Sequence, residues 1–296
     1  MRFKFKGVAV AAVVLSLGLS AAGCGGGDSG SGGAGDKKIT IGMVTGWAEG
    51  EAATALWEKM LKDKGYQVEI KTLDTGPLYT GMAKGDVDLF LDAWLPGTHE
   101  DYWKQYGDKL EKISVWYDKA PLTIAVPNYS PLKSLADLKG KGSSYGGKIV
   151  GIEKSSGLYR VSKEDMLPAY GLKDEYEVTT SSTAAMLTEL KKATDAKKDI
   201  VVTLWRPHWA YSKFPIRDLA DPKGAMGKPD GVNIVGRQDF SKDQAEVAGW
   251  LKKFRMDDKQ LGTLEDLMEN KYKGKPEQAV NEWMQANPAF AKGITG

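Results

Sequence analysis

The chain has 296 residues with 41 basic and 39 acidic side chains, a formal charge of +2 that becomes −1 without Arg2, Lys4 and Lys6, the basic residues of positions 1–23. A nearly neutral chain of ordinary globular composition excludes electrostatic capture of nucleic acid as its main task. A single cysteine excludes an internal disulfide, and two histidines, His99 and His208, disfavour a zinc site, so neither a metal nor a cofactor is expected.

Residues 1–23 read as a signal peptide: a basic start, an apolar stretch from Val8 to Leu19 too short to span a bilayer, then Ala21, Ala22 and Gly23 before Cys24. The pattern resembles a bacterial lipoprotein signal, with Ala21 where leucine is commoner, and implies lipidation of Cys24 after cleavage before it. An ordinary secretory signal with an incidental cysteine is the alternative. Residues 24–36 then form a lipidated Gly/Ser-rich tether, GGGDSGSGGAG at its centre. Such a chain is extracytoplasmic and held at the cell membrane by its lipid.

The globular part begins near Lys37. Ile39, Ile41 and Met43 alternate with small or polar residues as in a strand, and Ala52–Lys64 carries an apolar stripe (Ala53, Leu56, Trp57, Met60, Leu61) closed by Gly65. Tyr66–Lys71 is a second strand and Pro77–Lys84 a short helix. Val87 to Leu91 is a short buried strand that runs into Trp94, Pro96, Thr98 and His99. Strand, helix, strand, helix, strand is a parallel α/β pattern. A helix over His99–Leu110 follows, then strands at Ile113–Tyr117 and Leu122–Val126. Lys139–Gly147, although glycine-rich, matches no phosphate-binding pattern.

A second α/β series starts at Lys148. It has a strand ending at Glu153-Lys154-Ser155-Ser156-Gly157-Leu158, a helical stretch to Ala169, a strand at Tyr176–Thr180, a helix capped by Ser182, and a buried strand at Ile200–Trp205. That strand ends in Trp205-Arg206-Pro207-His208-Trp209 and so repeats the order Trp, Pro, His. A strand near Val232–Val235 and helices at Lys242–Phe254, Asp257–Asn270 and Pro276–Ala286 complete the chain. Two lobes are expected: residues 38–121 with 232–296, and residues 122–231.

Trp47, Trp94 and Trp205 all stand just past expected strands, at the sheet edge where ligands sit in open α/β folds. Aromatic faces can cage a quaternary ammonium; ordinary packing is the alternative for any one of them. The helix start at Ser156-Gly157-Leu158 offers free N–H groups to an anion, or is a plain turn. His99 supplies an N–H donor or a positive charge. His208 reads as a helix-start or surface residue. Catalysis has little support: no cysteine nucleophile is available, because Cys24 lies outside the globular part. A surface-anchored hydrolase using His99 with Asp92 or Glu153 is the rival reading, and a structural lipoprotein without ligand a third.

With these residues assembled, the chain resembles the glycine betaine-binding lipoproteins of ABC-type osmoprotectant importers from Lys38 to about Ala291. WAEGEAATALW (47–57), DTGPLYTGMAKGDVDLFLDAWLPGTH (74–99), STAAMLTELKKA (182–193) and TLWRPHW (203–209) carry the likeness. The resemblance implies a two-lobed α/β fold of the type II periplasmic-binding-protein kind that closes on ligand by a hinge, and no enzymatic activity. It places Trp47, Trp94 and Trp205 around a trimethylammonium group, with the carboxylate on His99 and the backbone amides of Gly157 and Leu158. The implied partners are glycine betaine or a similar small zwitterion and a membrane permease, with the binding protein a monomer. Choice among glycine betaine, proline betaine, carnitine, choline and ectoine stays open.

Overall fold

The computed structural model describes residues 37–296; the expected signal peptide, Cys24 and the tether fall outside the described residues. The first α/β series runs β1 (Lys38–Met43), α1 (Ala48–Asp63), β2 (Gln67–Thr72), α2 (Thr75–Lys84), β3 (Leu89–Leu95), α3 (Glu100–Tyr106) and β4 (Leu110–Ala120). The stripe Ala53, Leu56, Trp57, Met60 and Leu61 is buried, which is why α1 lies on the sheet. All seven residues of β3 are buried, as in a central strand covered on both faces.

The second series is β5 (Leu122–Pro127), β6 (Lys148–Val150), α4 (Gly157–Arg160), α5 (Leu167–Ala169), β7 (Glu177–Thr179), α6 (Thr183–Asp195), β8 (Val202–Trp205), α7 (Ala210–Lys213) and β9 (Ile216–Asp218). The chain then enters β10 (Asp230–Arg237) and ends in α8 (Phe240–Asp243), α9 (Ala245–Lys253), α10 (Asp258–Asp266), α11 (Pro276–Ala286) and α12 (Pro288–Thr295).

Two five-stranded sheets result, ordered β2-β1-β3-β10-β4 and β7-β6-β8-β5-β9. Each has a parallel half, β2-β1-β3 or β7-β6-β8, and an antiparallel half. β10 returns to the first sheet and inserts between β3 and β4, antiparallel to both. This is the two-lobed mixed α/β fold that the resemblance implies.

The structure alters the expected elements in several places. Strand β9 and helix α12 had no sequence counterpart. The helical stretch after Leu158 is interrupted by a π-helical run over Val161–Met166. The helix expected over Lys242–Phe254 divides at Gln244, whose backbone (φ −122, ψ 49) is not helical. Strand β3 extends through Trp94, and Trp205 is the last residue of β8, so these two tryptophans end strands rather than follow them.

Candidate functional site

One cavity is lined by Trp47, Trp94, His99, Gly157, Leu158 and Trp205, together with Glu49, Thr98, Leu122, Ile152 and Ser156. Every expected site residue of the globular part therefore lies on it. Trp47, Trp94 and His99 come from the first sheet and its connections; Gly157, Leu158 and Trp205 come from the second.

Trp47 sits between β1 and α1, after Gly46, whose φ of +87 turns the chain into the helix. Trp94 reaches the site from within β3. Beyond it the chain turns through a cis Leu95–Pro96 bond, and the turn is held from the side by Asp230, which accepts from the N–H of Gly97 (2.7 Å), the N–H of Thr98 (2.8 Å) and the Thr98 hydroxyl (2.6 Å). Trp205 ends β8 before a cis Arg206–Pro207 bond, and His208 packs edge-on against it at 4.7 Å. His208 is buried, and its Nδ1 accepts from the Ala210 N–H, so it caps α7 from inside rather than at the surface.

His99 is 1% exposed, and burial, helped by the nearby Arg160 guanidinium, lowers its pKa to about 3. It is neutral at physiological pH, which decides between the donor and the positive charge that the sequence left open. Its Nδ1 accepts from the Trp94 N–H at 3.1 Å and lies 3.2 Å from the Tyr79 hydroxyl. The ring proton consequently belongs on Nε2, and Nε2 is buried without a hydrogen-bond partner. An unmatched buried donor is costly unless a ligand completes it. Trp47 stacks on the same ring, with centroids 5.6 Å apart and planes 25° from parallel.

On the opposite wall Ser156 caps α4: its hydroxyl accepts from the Tyr159 N–H at 3.2 Å. Gly157 and Leu158 are the first two helical residues, where N–H groups have no acceptor within the helix. Gly157 is pressed on the other half of the molecule. A Cβ there would run into the Thr98 carbonyl oxygen, far inside the 3.0 Å below which Cβ contacts do not occur. Nearby, Arg160 donates to the Gly97 carbonyl (3.1 Å) and pairs with Asp101 (3.2 Å), and the Tyr102 hydroxyl donates to the Ser155 carbonyl (2.8 Å). The two halves are thus drawn together around the cavity.

Glu49 is a site residue that the sequence reading missed. It is 1% exposed and accepts the Trp205 indole N–H at 2.8 Å. Asp92 does the same for the Trp94 indole, also at 2.8 Å. Burial raises Glu49 to about 7 and holds Asp92 well above the usual carboxylate range, with the adjacent Glu49 carboxyl raising Asp92 further. A signal for Glu49 existed: extended back one turn, the stripe at positions 53, 56 and 60 meets a carboxylate at 49. Asp92 and Glu153, the acids of the hydrolase reading, have other work. Asp92 orients Trp94, and Glu153 accepts from the Thr183 N–H (2.7 Å) and hydroxyl (3.0 Å) at the start of α6.

Known proteins place the chain. Residues 37–286 match the family model described as the substrate binding domain of ABC-type glycine betaine transport systems. A glycine betaine/carnitine transport binding protein of Listeria monocytogenes is 32% identical over 145 residues, 47% of this chain and 46% of that protein. The chain therefore aligns with about half the length of that curated relative. Among solved structures, a glycine/betaine/L-proline-binding protein from Borrelia burgdorferi superposes with a TM-score of 0.82 at 29% identity, covering 88% of this chain and 97% of the other. Lactococcal OpuAC, closed on glycine betaine, gives 0.81 at 28% identity, covering 88% and 100%. The chain belongs to the family of substrate-binding domains of ABC-type glycine betaine transport systems, whose members bind solutes and are not enzymes.

Proposed function

We propose that this protein is the extracytoplasmic solute-binding component of an ABC importer and captures glycine betaine or a closely related quaternary ammonium zwitterion. The trimethylammonium group sits among Trp47, Trp94 and Trp205, and the carboxylate accepts from His99 Nε2–H and the backbone N–H groups of Gly157 and Leu158. One observation carries this reading: three indoles and the ring of His99, whose buried Nε2 has no hydrogen-bond partner, line one cavity. Indole faces attract a cation lacking N–H groups, by about 2 kcal/mol each when water is excluded. Neutral His99 suits a carboxylate because it donates a hydrogen bond without leaving a buried charge when the site is empty.

The lobes, residues 38–121 with 232–296 and residues 122–231, close on the ligand by a hinge. Closure is favoured because the ligand touches both walls only in the closed form. The closed form is what a membrane permease would recognise, with a lipid on Cys24 keeping the monomeric binding protein at the membrane.

Titration calorimetry with glycine betaine and choline tests the reading. Saturable binding of glycine betaine is expected, and absence of binding by either solute would overturn it. His99→Ala should weaken glycine betaine by about tenfold or more while leaving choline, which has no carboxylate, nearly unchanged. Equal losses for the two solutes would remove His99 from the carboxylate site.

A further inference from the structure

Behind the tryptophans lies a buried acidic pair that a cage for a neutral group would not need. Glu49 on α1 and Asp92 on β3 are each at most 2% exposed, and each holds the indole N–H of a cavity tryptophan. They are close because residue 50 is glycine: a Cβ there would overlap Asp92 Oδ2 and lie 2.9 Å from Asp92 Cβ. That Oδ2 is buried and has no hydrogen-bond donor of its own. Among the described residues no lysine or arginine forms an ion pair with either acid, and no three His, Cys, Asp or Glu side chains are placed to hold a metal ion. The pair must therefore keep protons when the cavity is empty, since two bare carboxylates in a dry site repel each other and lack solvation.

We infer that the Glu49–Asp92 carboxyl pair surrenders a proton when a quaternary ammonium enters the cavity, so that capture of the cation is coupled to proton release. The inference rests on the proposed reading of the site. The proton leaves a carboxyl O–H for the solvent, and the carboxylate left behind faces the incoming ammonium; because the zwitterion brings its own carboxylate, held across the cavity by neutral N–H donors, the bound site carries one net negative charge more than the empty one. Glu49 is the member that yields the proton, because it lines the cavity and already accepts the Trp205 N–H, which favours its ionised form. The pair would then make the cavity selective for cationic headgroups over neutral ones of the same shape.

The groups facing the pair reinforce this chemistry. Glu51 on α1 and Glu265 on α10 are acidic neighbours that favour retention of protons in the empty site; Glu269 acts on Glu51 in the same sense. Tyr79 on α2 is buried and stays protonated, its pKa raised by burial first and by any ionisation of Asp92 second, and His99 beside the cavity is neutral. Glu69 on β2 and Glu282 on α11 pair with Lys38 and Lys271 at the surface. The second sheet contributes the Trp205 indole N–H. An arriving ammonium would be the positive charge set against these acids.

The test is calorimetry of glycine betaine binding at about pH 6, below the raised carboxyl range, in phosphate and in imidazole, buffers of different ionisation enthalpy. The expected result is a binding heat that differs between the buffers in the sense of proton release, approaching one proton, and affinity that rises several-fold between about pH 6 and pH 8. Uptake through His99 would have the opposite sign. Glu49→Gln should bind more weakly and with the same heat in both buffers. The tert-butylacetate anion, which has carbon in place of nitrogen in the headgroup, should release no proton. Tight binding of glycine betaine with buffer-independent heat would overturn the inference and leave the site reading standing. No binding at all would overturn the site reading and this inference with it.

Discussion

A methyl group at position 157 should weaken ligand capture about a hundredfold while leaving the fold intact. Gly157 opens α4 and lines the cavity, and a Cβ on it would meet the Thr98 carbonyl across the junction of the two halves. The obstacle to a Cβ is backbone oxygen, which cannot swing aside as a flexible side chain would. Within its own half, alanine is no worse than glycine at a helix start, and its conformational cost on folding is lower. The strain in Gly157→Ala thus appears only when the halves meet. Glycine betaine affinity should fall by about a hundredfold, or roughly 2.7 kcal/mol, with little change in the thermal midpoint of the unliganded protein. Small-angle scattering should show that saturating glycine betaine no longer compacts the variant. Undiminished affinity would mean that the ligand-bound form does not bring Gly157 against Thr98.

Trp94→Ala should weaken glycine betaine binding by at least about tenfold, some 1.4 kcal/mol, as measured by calorimetry. Two effects act together. The alanine variant loses one aromatic face, worth up to about 2 kcal/mol to a desolvated cation. It also leaves Asp92 Oδ1 without the indole N–H that it accepts at 2.8 Å, and an unmatched buried acceptor costs on the order of 1–3 kcal/mol. Trp94→Phe separates the two: it keeps a π face and loses only the hydrogen bond, so its affinity should lie between wild type and Trp94→Ala. Unchanged affinity in a folded Trp94→Ala protein would take Trp94 out of the cage.

Much of the site was legible in the chain because its residues stand at places where regular structure ends. Trp94 and Trp205 each precede a proline and a histidine, Trp47 follows a strand, and Gly157-Leu158 follows a serine able to cap a helix. Period-two and period-3.6 patterns mark which faces are buried, and the ends of those patterns mark where side chains and N–H groups are left for something else. The same logic missed β9, three residues long, because so short a run has no period to detect. It also extended the α9 helix back through Gln244, because an apolar stripe does not register a local break.

What the sequence determined by itself was the two α/β series, the order of their strands along the chain, and the residue types offered at the strand and helix ends. These follow from local patterning and short-range turn chemistry. The tertiary structure alone decided the place of β10 between β3 and β4 and antiparallel to both, the neutrality of His99 with its proton on Nε2, and the grip of Glu49 on Trp205 across 156 residues of chain. The physical reason is common to all three. Charge state and partner choice depend on which distant groups exclude water from a side chain, and that is set only when two separately patterned halves pack against each other.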